Sequence, residues 1–346
     1  MSRVRLNLYE VDPVSRTDKD DPVGRLGATA ILVLVLAFVS SSAVAAPNAG
    51  RSVTLIAMGS FSEPSVKALA DHLRHKFHLR VLVRGSVPFP SDAYDGSRKQ
   101  YVGEELLAQL ERAYSHGVAV AVTDRDIYMK AKQFRYVFSI RDQRAAVVSS
   151  ARMDPRFYGL PPDTELWYSR LDKMVGKMVG VLALGRRESG NPRSVLYNAI
   201  LGFDDLDFMT EDLKPHPYAA EKRTWLASAD NACNKARADS AAVGSRPKQT
   251  SEQLLAIVTD LIKLEGDLLA TINAQPAPRS DKALVAKLRS AFAQAVAADQ
   301  AAIAALTAHW DAQKFKDFLA ANQAAGLGLK ATSLRLGSRA CAAYFG

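Results

Sequence analysis

Cysteine is nearly absent: the chain of 346 residues has two, Cys233 and Cys341, and their spacing matches no thiolate metal site. Blocks of like charge are also missing. The formal net charge is +9, yet the basic residues are scattered, and no basic run is interleaved with aromatics, which make up 8% of the chain. That pattern argues against a nucleic-acid partner. No glycine-rich loop has the preceding strand and spacing of a phosphate cradle. The acids of "GFDDLDFM", residues 202–209, lack the calcium-loop pattern. No Ser-His-Asp or Cys-His arrangement stands out, and there is no internal repeat.

What is present begins at the N-terminus. Arg3, Arg5, Arg16, Lys19 and Arg25 precede the apolar run Ala28–Val39. The run is short for a membrane span and suits a signal-peptide core. Ala43-Val44-Ala45 supplies the small residues a signal peptidase needs, so cleavage is expected after Ala45 or Ala46. Residues 1–46 are therefore read as a signal peptide, with an uncleaved anchor as the alternative. The chain is expected to be exported, periplasmic or secreted, with no membrane contact once the signal is cleaved. An oxidising compartment would join Cys233 to Cys341.

Residues 47–218 read as an α/β domain. "SVTLIAMG", "RVLVRG", "VAVAVTD", "YVFSI" and "AAVVSSARM" have the apolar, β-branched character of strands. "SEPSVKALADHLRHKF" and "GEELLAQLERAYS" are amphipathic helices, the first capped by Ser62 with Pro64 in its opening turn. Alternation of the two types predicts a sheet covered by helices on at least one face. Residues 219–346 change character: alanine rises and strand-like runs vanish. Four helices are predicted at about 219–242, 250–273, 281–309 and 312–335, with a capping box at Thr250–Gln253. This is the pattern of an antiparallel helical bundle. Cys233 and Cys341 fall at its two ends, where a disulfide would close it.

Candidate site residues are few. His72, His75 and His78 are spaced by three, which spreads them over about 120° of a helix. Metal-binding histidines on a helix sit at i and i+4 instead, so a solvated face explains these. Asp124 and Asp126 in "TDRDIY" suit a strand end and its turn. The anomaly is "SRLDKMVGKMVGVLALG", Ser169–Gly185, an apolar helical pattern interrupted by Gly176 and Gly180 on one face with Lys177 beside them. Each glycine costs a helix interior about 1 kcal/mol relative to alanine.

The surroundings of that helix resemble the archaemetzincins, zinc-dependent metallopeptidases of the metzincin type. The resemblance runs from Val53 to Asp207. It is carried by "VTLIAMG", "SDAYDGSRKQY", "VAVAVTDRDIY", "YVFSIRDQRAAVVSSARM" and the Arg170/Lys173 spacing ahead of the motif positions. It implies a metzincin-like mixed sheet with a site helix. In the family that helix carries His-Glu-x-x-His-x-x-Gly and a third histidine three residues on. Two histidines at i and i+4 face one zinc, and the glutamate is the general base. Laid onto this chain, the histidines fall on Gly176, Gly180 and Arg186, and the glutamate on Lys177. The family's glycine falls on Ala183, and the cysteine after its third histidine on Arg187. The later cysteines of its second zinc site have no counterpart. The signal peptide and the helical bundle are further departures from the family.

The resemblance therefore implies an α/β, metzincin-like domain fused to an all-α bundle, with no catalytic residue at the degenerate positions Gly176, Lys177, Gly180 and Arg186 and with no zinc cofactor. The expected function is binding of a peptide or protein of the cell envelope. Lys177 is expected to snorkel into an open cleft and meet an acidic group of that partner. Two rivals stand beside this reading. One is a metal-dependent peptidase whose site has been rebuilt from His72, His75 or acids near Asp204. The other is a cell-envelope structural module that acts through its bundle.

Overall fold

The computed structural model describes residues 52–346 apart from 133, 215–217 and 248–249. The expected signal peptide and its cleavage site lie outside the described residues. The first described element is β1 (Ser52–Met58), followed by α1 (Glu63–Phe77) and β2 (Arg80–Val87). A short hairpin, β3 (Tyr94–Asp95) and β4 (Gln100–Val102), leads into α2 (Gly103–Ala113). Then come β5 (Val118–Thr123), β6 (Ile127–Tyr128), β7 (Ser139–Arg141) and β8 (Ala145–Ser149). Two 3-10 turns precede α3 (Thr164–Leu182) and the short α4 (Phe203–Phe208).

The main sheet has five strands in the order β2-β1-β5-β8-β7. All neighbours are parallel except β7, which runs antiparallel to β8. The register places Leu55 opposite Val83 on one side and Val120 on the other. Alternation along each strand then divides the apolar residues between two faces. Leu55, Ala57, Val120, Val122, Ala146 and Val148 meet Leu69 and Leu73 of α1 and Leu171 and Val175 of α3. Ile56, Met58, Ala119, Ala121 and Val147 meet Leu106 and Leu110 of α2. Helices thus cover both faces of the sheet. A second sheet, β3-β4-β6, sits beside it; its strands are two or three residues long and leave no periodic trace in the sequence.

The local chemistry matches the expected starts and stops. Ser62 caps α1 by accepting from Ser65 N, and His78 ends it in the left-handed region at φ 52°. α3 begins five residues earlier than the apolar pattern suggests, because Asp163 caps it by accepting from Leu166 N at 2.9 Å. The chain turns away after α3 at Gly185, whose φ of 63° favours glycine.

The C-terminal part consists of α5 (Ala220–Gly244), α6 (Ser251–Ala274), α7 (Lys282–Ala308), α8 (Ala312–Leu336) and α9 (Arg339–Phe345). The capping box on α6 has both bonds, Gln253 N to Thr250 Oγ1 at 3.2 Å and Thr250 N to Gln253 Oε1 at 3.3 Å. Trp225, Ile272, Leu288, Phe292, Leu336 and Phe345 form one core of this bundle. Val258, Ile262, Ile303 and Phe315 form another toward the far end of α6 and α7. Among the described residues, Arg279–Ala308 is long and apolar enough to cross a membrane by length and composition; its apolar stripe packs into the two bundle cores. Cys233 and Cys341 are joined as expected, with Cα atoms 5.0 Å apart at a sequence separation of 108. An unexpected helix of seven residues, α9, is what carries Cys341 back to α5.

Ion pairs fasten the bundle to the α/β part. Glu165, at the start of α3, meets Lys287 at 3.0 Å and Arg335 at 2.7 Å. Hydrogen bonds from Arg335 and Lys287 hold its carboxyl below the usual range. Asp204 of α4 meets Lys330 at 2.6 Å, and the Arg339 guanidinium lies over the Phe208 ring.

Candidate functional site

Gly176 and Gly180 are four residues apart on α3, so they share one face. That face is covered by apolar carbon. A Cβ built on Gly176 would lie 3.8 Å from the Phe77 ring and from Val195 Cγ2, an ordinary contact. A Cβ on Gly180 would lie 3.0 Å from both Leu196 Cδ2 and Leu213 Cδ2, closer than side chains normally pack. Phe77 comes from the end of α1, Val195 and Leu196 from the irregular segment between α3 and α4, and Leu213 from the segment after α4. The glycines therefore answer a packing need: they let this segment approach the helix closely.

Lys177 points elsewhere on the helix and is buried, at 5% exposure. Its ammonium donates to Tyr197 O at 2.5 Å and pairs with Glu188 Oε1 at 3.0 Å. Burial pushes its pKa down, against the pull of Glu188. The expectation that Lys177 snorkels into an open cleft is corrected. Its charge is matched inside the chain, as a buried cation requires.

Two more buried cations stand on the same helix, and the same logic holds for each. Arg170 makes a bidentate pair with Asp207 at 2.8 and 2.6 Å and donates to Met153 O. Lys173 donates to Leu206 O at 2.9 Å, and burial pushes its pKa down to about 8. Arg170, Lys173 and Lys177 thus form a basic stripe along α3. Each cation fastens part of residues 188–207, as the fork of an arginine or the donors of a lysine allow.

The remaining candidates separate. His75 and His78 are exposed, as a solvated face implies. His72 instead faces Asp172 of α3 and Glu211, with one ligand atom from each of the three within 4.8 Å of the others. Spacing along one helix carries no signal for a cluster drawn from three segments. Asp124 and Asp126 are not a working pair. Asp126 takes two hydrogen bonds from Arg152 and one from Gln100, whereas Asp124 accepts from Ser60. The three acids of "GFDDLDFM" have structural partners: Lys330 for Asp204, the Leu201 amide for Asp205 and Arg170 for Asp207. Arg186 and Arg187 are exposed just beyond α3. An open cleft of about 810 Å³, lined by Thr54, Arg84, Gln109 and His116 among others, lies elsewhere, beside β2 and the end of α2.

A mixed five-stranded sheet, backed by a long helix that follows the antiparallel strand pair, is the architecture of an α/β protein of metzincin type, here continued by a helical bundle. The chain is 31% identical over 141 residues to the archaemetzincin of Pyrococcus furiosus, covering 39% of this chain and 73% of that one. It is 26% identical over 147 residues to the archaemetzincin of Haloarcula marismortui, covering 42% and 84%. The chain belongs to the archaemetzincin family. Among solved structures, the archaemetzincin of Methanopyrus kandleri matches 49% of this chain and 91% of its own at 22% identity, with a TM-score of 0.40. A zinc-dependent peptidase from Methanocorpusculum labreanum matches 50% and 98% at 19% identity, with a TM-score of 0.41. No family profile matches the chain.

The residues onto which the resemblance lays the family's motif do not fit a zinc ion. Glycine offers no side-chain donor at 176 or 180. Lys177 and Arg186 are cations where an acid and an imidazole would be needed. The volume in front of the glycines is taken by Phe77, Val195, Leu196 and Leu213.

Proposed function

We propose that this archaemetzincin has no zinc peptidase activity and acts by binding a peptide or protein partner in the cell envelope. The observation that carries the reading is the α3 face itself: two glycines packed under leucine, valine and phenylalanine carbon, beside a lysine already matched by Glu188 and Tyr197 O. A hydrolytic water needs a metal or base at that face, and the side chains there supply neither. Export is supported by the apolar run and Ala-x-Ala site of residues 28–45 and by the Cys233–Cys341 bridge, a bond that persists in oxidising compartments. Since Lys177 is engaged internally, exposed Arg186 and Arg187 are the cations at the end of α3 that offer themselves to an acidic partner.

The test is peptidase activity of the purified, disulfide-bonded chain on mixed fluorogenic peptides. The expected result is no turnover that a zinc chelator removes. Cleavage that is abolished by chelation and restored by zinc would overturn the reading in favour of the rebuilt peptidase.

A further inference from the structure

One turn before Gly176, α3 carries Asp172, whose side chain is 1% exposed. Its Oδ2 accepts from Lys76 Nζ at 3.2 Å, but its Oδ1 is buried with no hydrogen-bond partner. A buried charged oxygen left in that state is costly. His72 Nδ1 stands 3.9 Å from this oxygen, beyond hydrogen-bond range, and His72 Nε2 stands 3.9 Å from Glu211 Oε2. Lys76 Nζ is also 3.7 Å from Glu211 Oε2. Two carboxylates, Asp172 and Glu211, thus face one ammonium, with the His72 ring beside them.

We propose that His72, Asp172 and Glu211 form a divalent-cation site of zinc class, which clasps α1, α3 and the segment after α4. One imidazole nitrogen and two carboxylate oxygens are a donor set that zinc accepts, at about 2.0–2.2 Å from the metal. The donors are within 4.8 Å of one another and must draw in. Two of them can: His72 and Glu211 are partly exposed at 36% and 45%, whereas Asp172 is fixed in the interior. This is not the family's centre, because none of the three residues occupies position 176, 177, 180 or 186. Lys76 is the built-in competitor, since a metal must displace its ammonium from between the two carboxylates. The site does not depend on whether the glycine face has lost its own ion.

The experiment is calorimetric titration of zinc alone into the metal-stripped, disulfide-bonded chain at pH 7.5. Binding of one ion is expected. Lys76→Met is expected to tighten it about tenfold, or about 1.4 kcal/mol. His72→Gln is expected to abolish it in both backgrounds; His72 is surface-lying, so this variant keeps the core. Glu211→Gln, also on the surface, is the second variant and is expected to weaken binding about tenfold. Absence of binding in the Lys76→Met chain would overturn the proposal, and so would binding that survives His72→Gln. Chelator-sensitive peptidase activity that persists in His72→Gln would refute the proposed function while leaving this site untouched, so the two failures are distinguishable.

Discussion

Replacing Gly176 and Gly180 by alanine, one at a time, measures whether the α3 face is filled. Both positions lie inside one helix, so both substitutions gain about 1 kcal/mol of helix propensity. The new methyl groups meet different surroundings. At 176 the Cβ would sit 3.8 Å from Phe77 and Val195, in ordinary contact, and no strain offsets the gain. Burying the methyl adds up to about 0.8 kcal/mol, so Gly176→Ala should stabilise the chain by about 1–2 kcal/mol. At 180 the Cβ would sit 3.0 Å from two leucine methyl groups. Overpacking of that kind costs about 1–3 kcal/mol, which cancels or exceeds the helix gain. The expected net for Gly180→Ala therefore runs from neutral to about 2 kcal/mol destabilising. Urea unfolding followed by tryptophan emission, with Trp167 on α3 as one reporter, gives the two midpoints. The prediction is a midpoint raised for Gly176→Ala and unchanged or lowered for Gly180→Ala, with similar m values. Equal stabilisation at both positions would mean that Leu196 and Leu213 do not lie on this helix. The face would then be open, and the functional proposal would lose the observation it rests on.

Three other outcomes are expected. Thiol titration of the denatured, unreduced chain should find no free thiol, and reduction of the Cys233–Cys341 bridge should lower stability by up to about 4–5 kcal/mol, the chain-entropy value for a loop of 108 residues. Lys173 has its pKa lowered by burial to about 8 from 10.5, so the folded chain loses this proton before the unfolded chain does. Its contribution to stability is fully present above 10.5 and is lost as pH falls through 8. Between those values the native chain should gain on Lys173→Met by about 3 kcal/mol as pH rises, read from denaturation midpoints across that window; a flat difference would refute the burial of this ammonium. Mature protein from the envelope fraction should begin at Ala46 or Pro47, read by N-terminal sequencing; an intact Met1 on cytoplasmic protein would refute export.

Much of the fold was legible because it rests on local period and caps. The run "VAVAVT" could only be a buried strand, and it forms β5 at the centre of the sheet. Thr250 and Gln253 carry the capping box their spacing announces. The four long alanine-rich helices stand within a few residues of where the apolar stripe puts them, because helical periodicity over many turns is a strong signal. The misses share a cause. The small sheet β3-β4-β6, α4 and α9 are too short to show a period. The partners of the α3 cations come from irregular chain (Glu188, Tyr197) and from the short α4 (Leu206, Asp207), where no period marks them. Asp172 meets His72 across 100 residues of sequence, through the packing of α1 on α3. Lys177 looked like an intrusion into an apolar helix, and an intruding lysine is ordinarily read as reaching water. Glu188 and the Tyr197 carbonyl, eleven and twenty residues further on, reverse that reading.

These partners also explain how the segment after α3 holds its place. In the family motif, two ligands on the helix and a third beyond it tie the helix to the chain that follows, through one ion. Here the same helix and the following segment are tied by other means. Phe77, Val195, Leu196 and Leu213 close over the two glycines, and Lys177 spans from the helix to Glu188 and Tyr197 O. Lys173 and Arg170 continue the fastening to Leu206 O and Asp207. Such a set is mutually dependent. Histidine at 180 would collide with leucines that a glycine admits. Glutamate at 177 would place a second carboxylate beside Glu188 and a carbonyl oxygen, with Arg141, already paired to Glu188, as the cation nearby. Restoring one motif residue therefore removes a fastening without supplying a ligand set, and restoring all of them asks the segment to repack. On this argument the arrangement at α3 is held by side-chain packing and buried charge pairs, and the binding function we propose needs no ion there to keep its surface in shape.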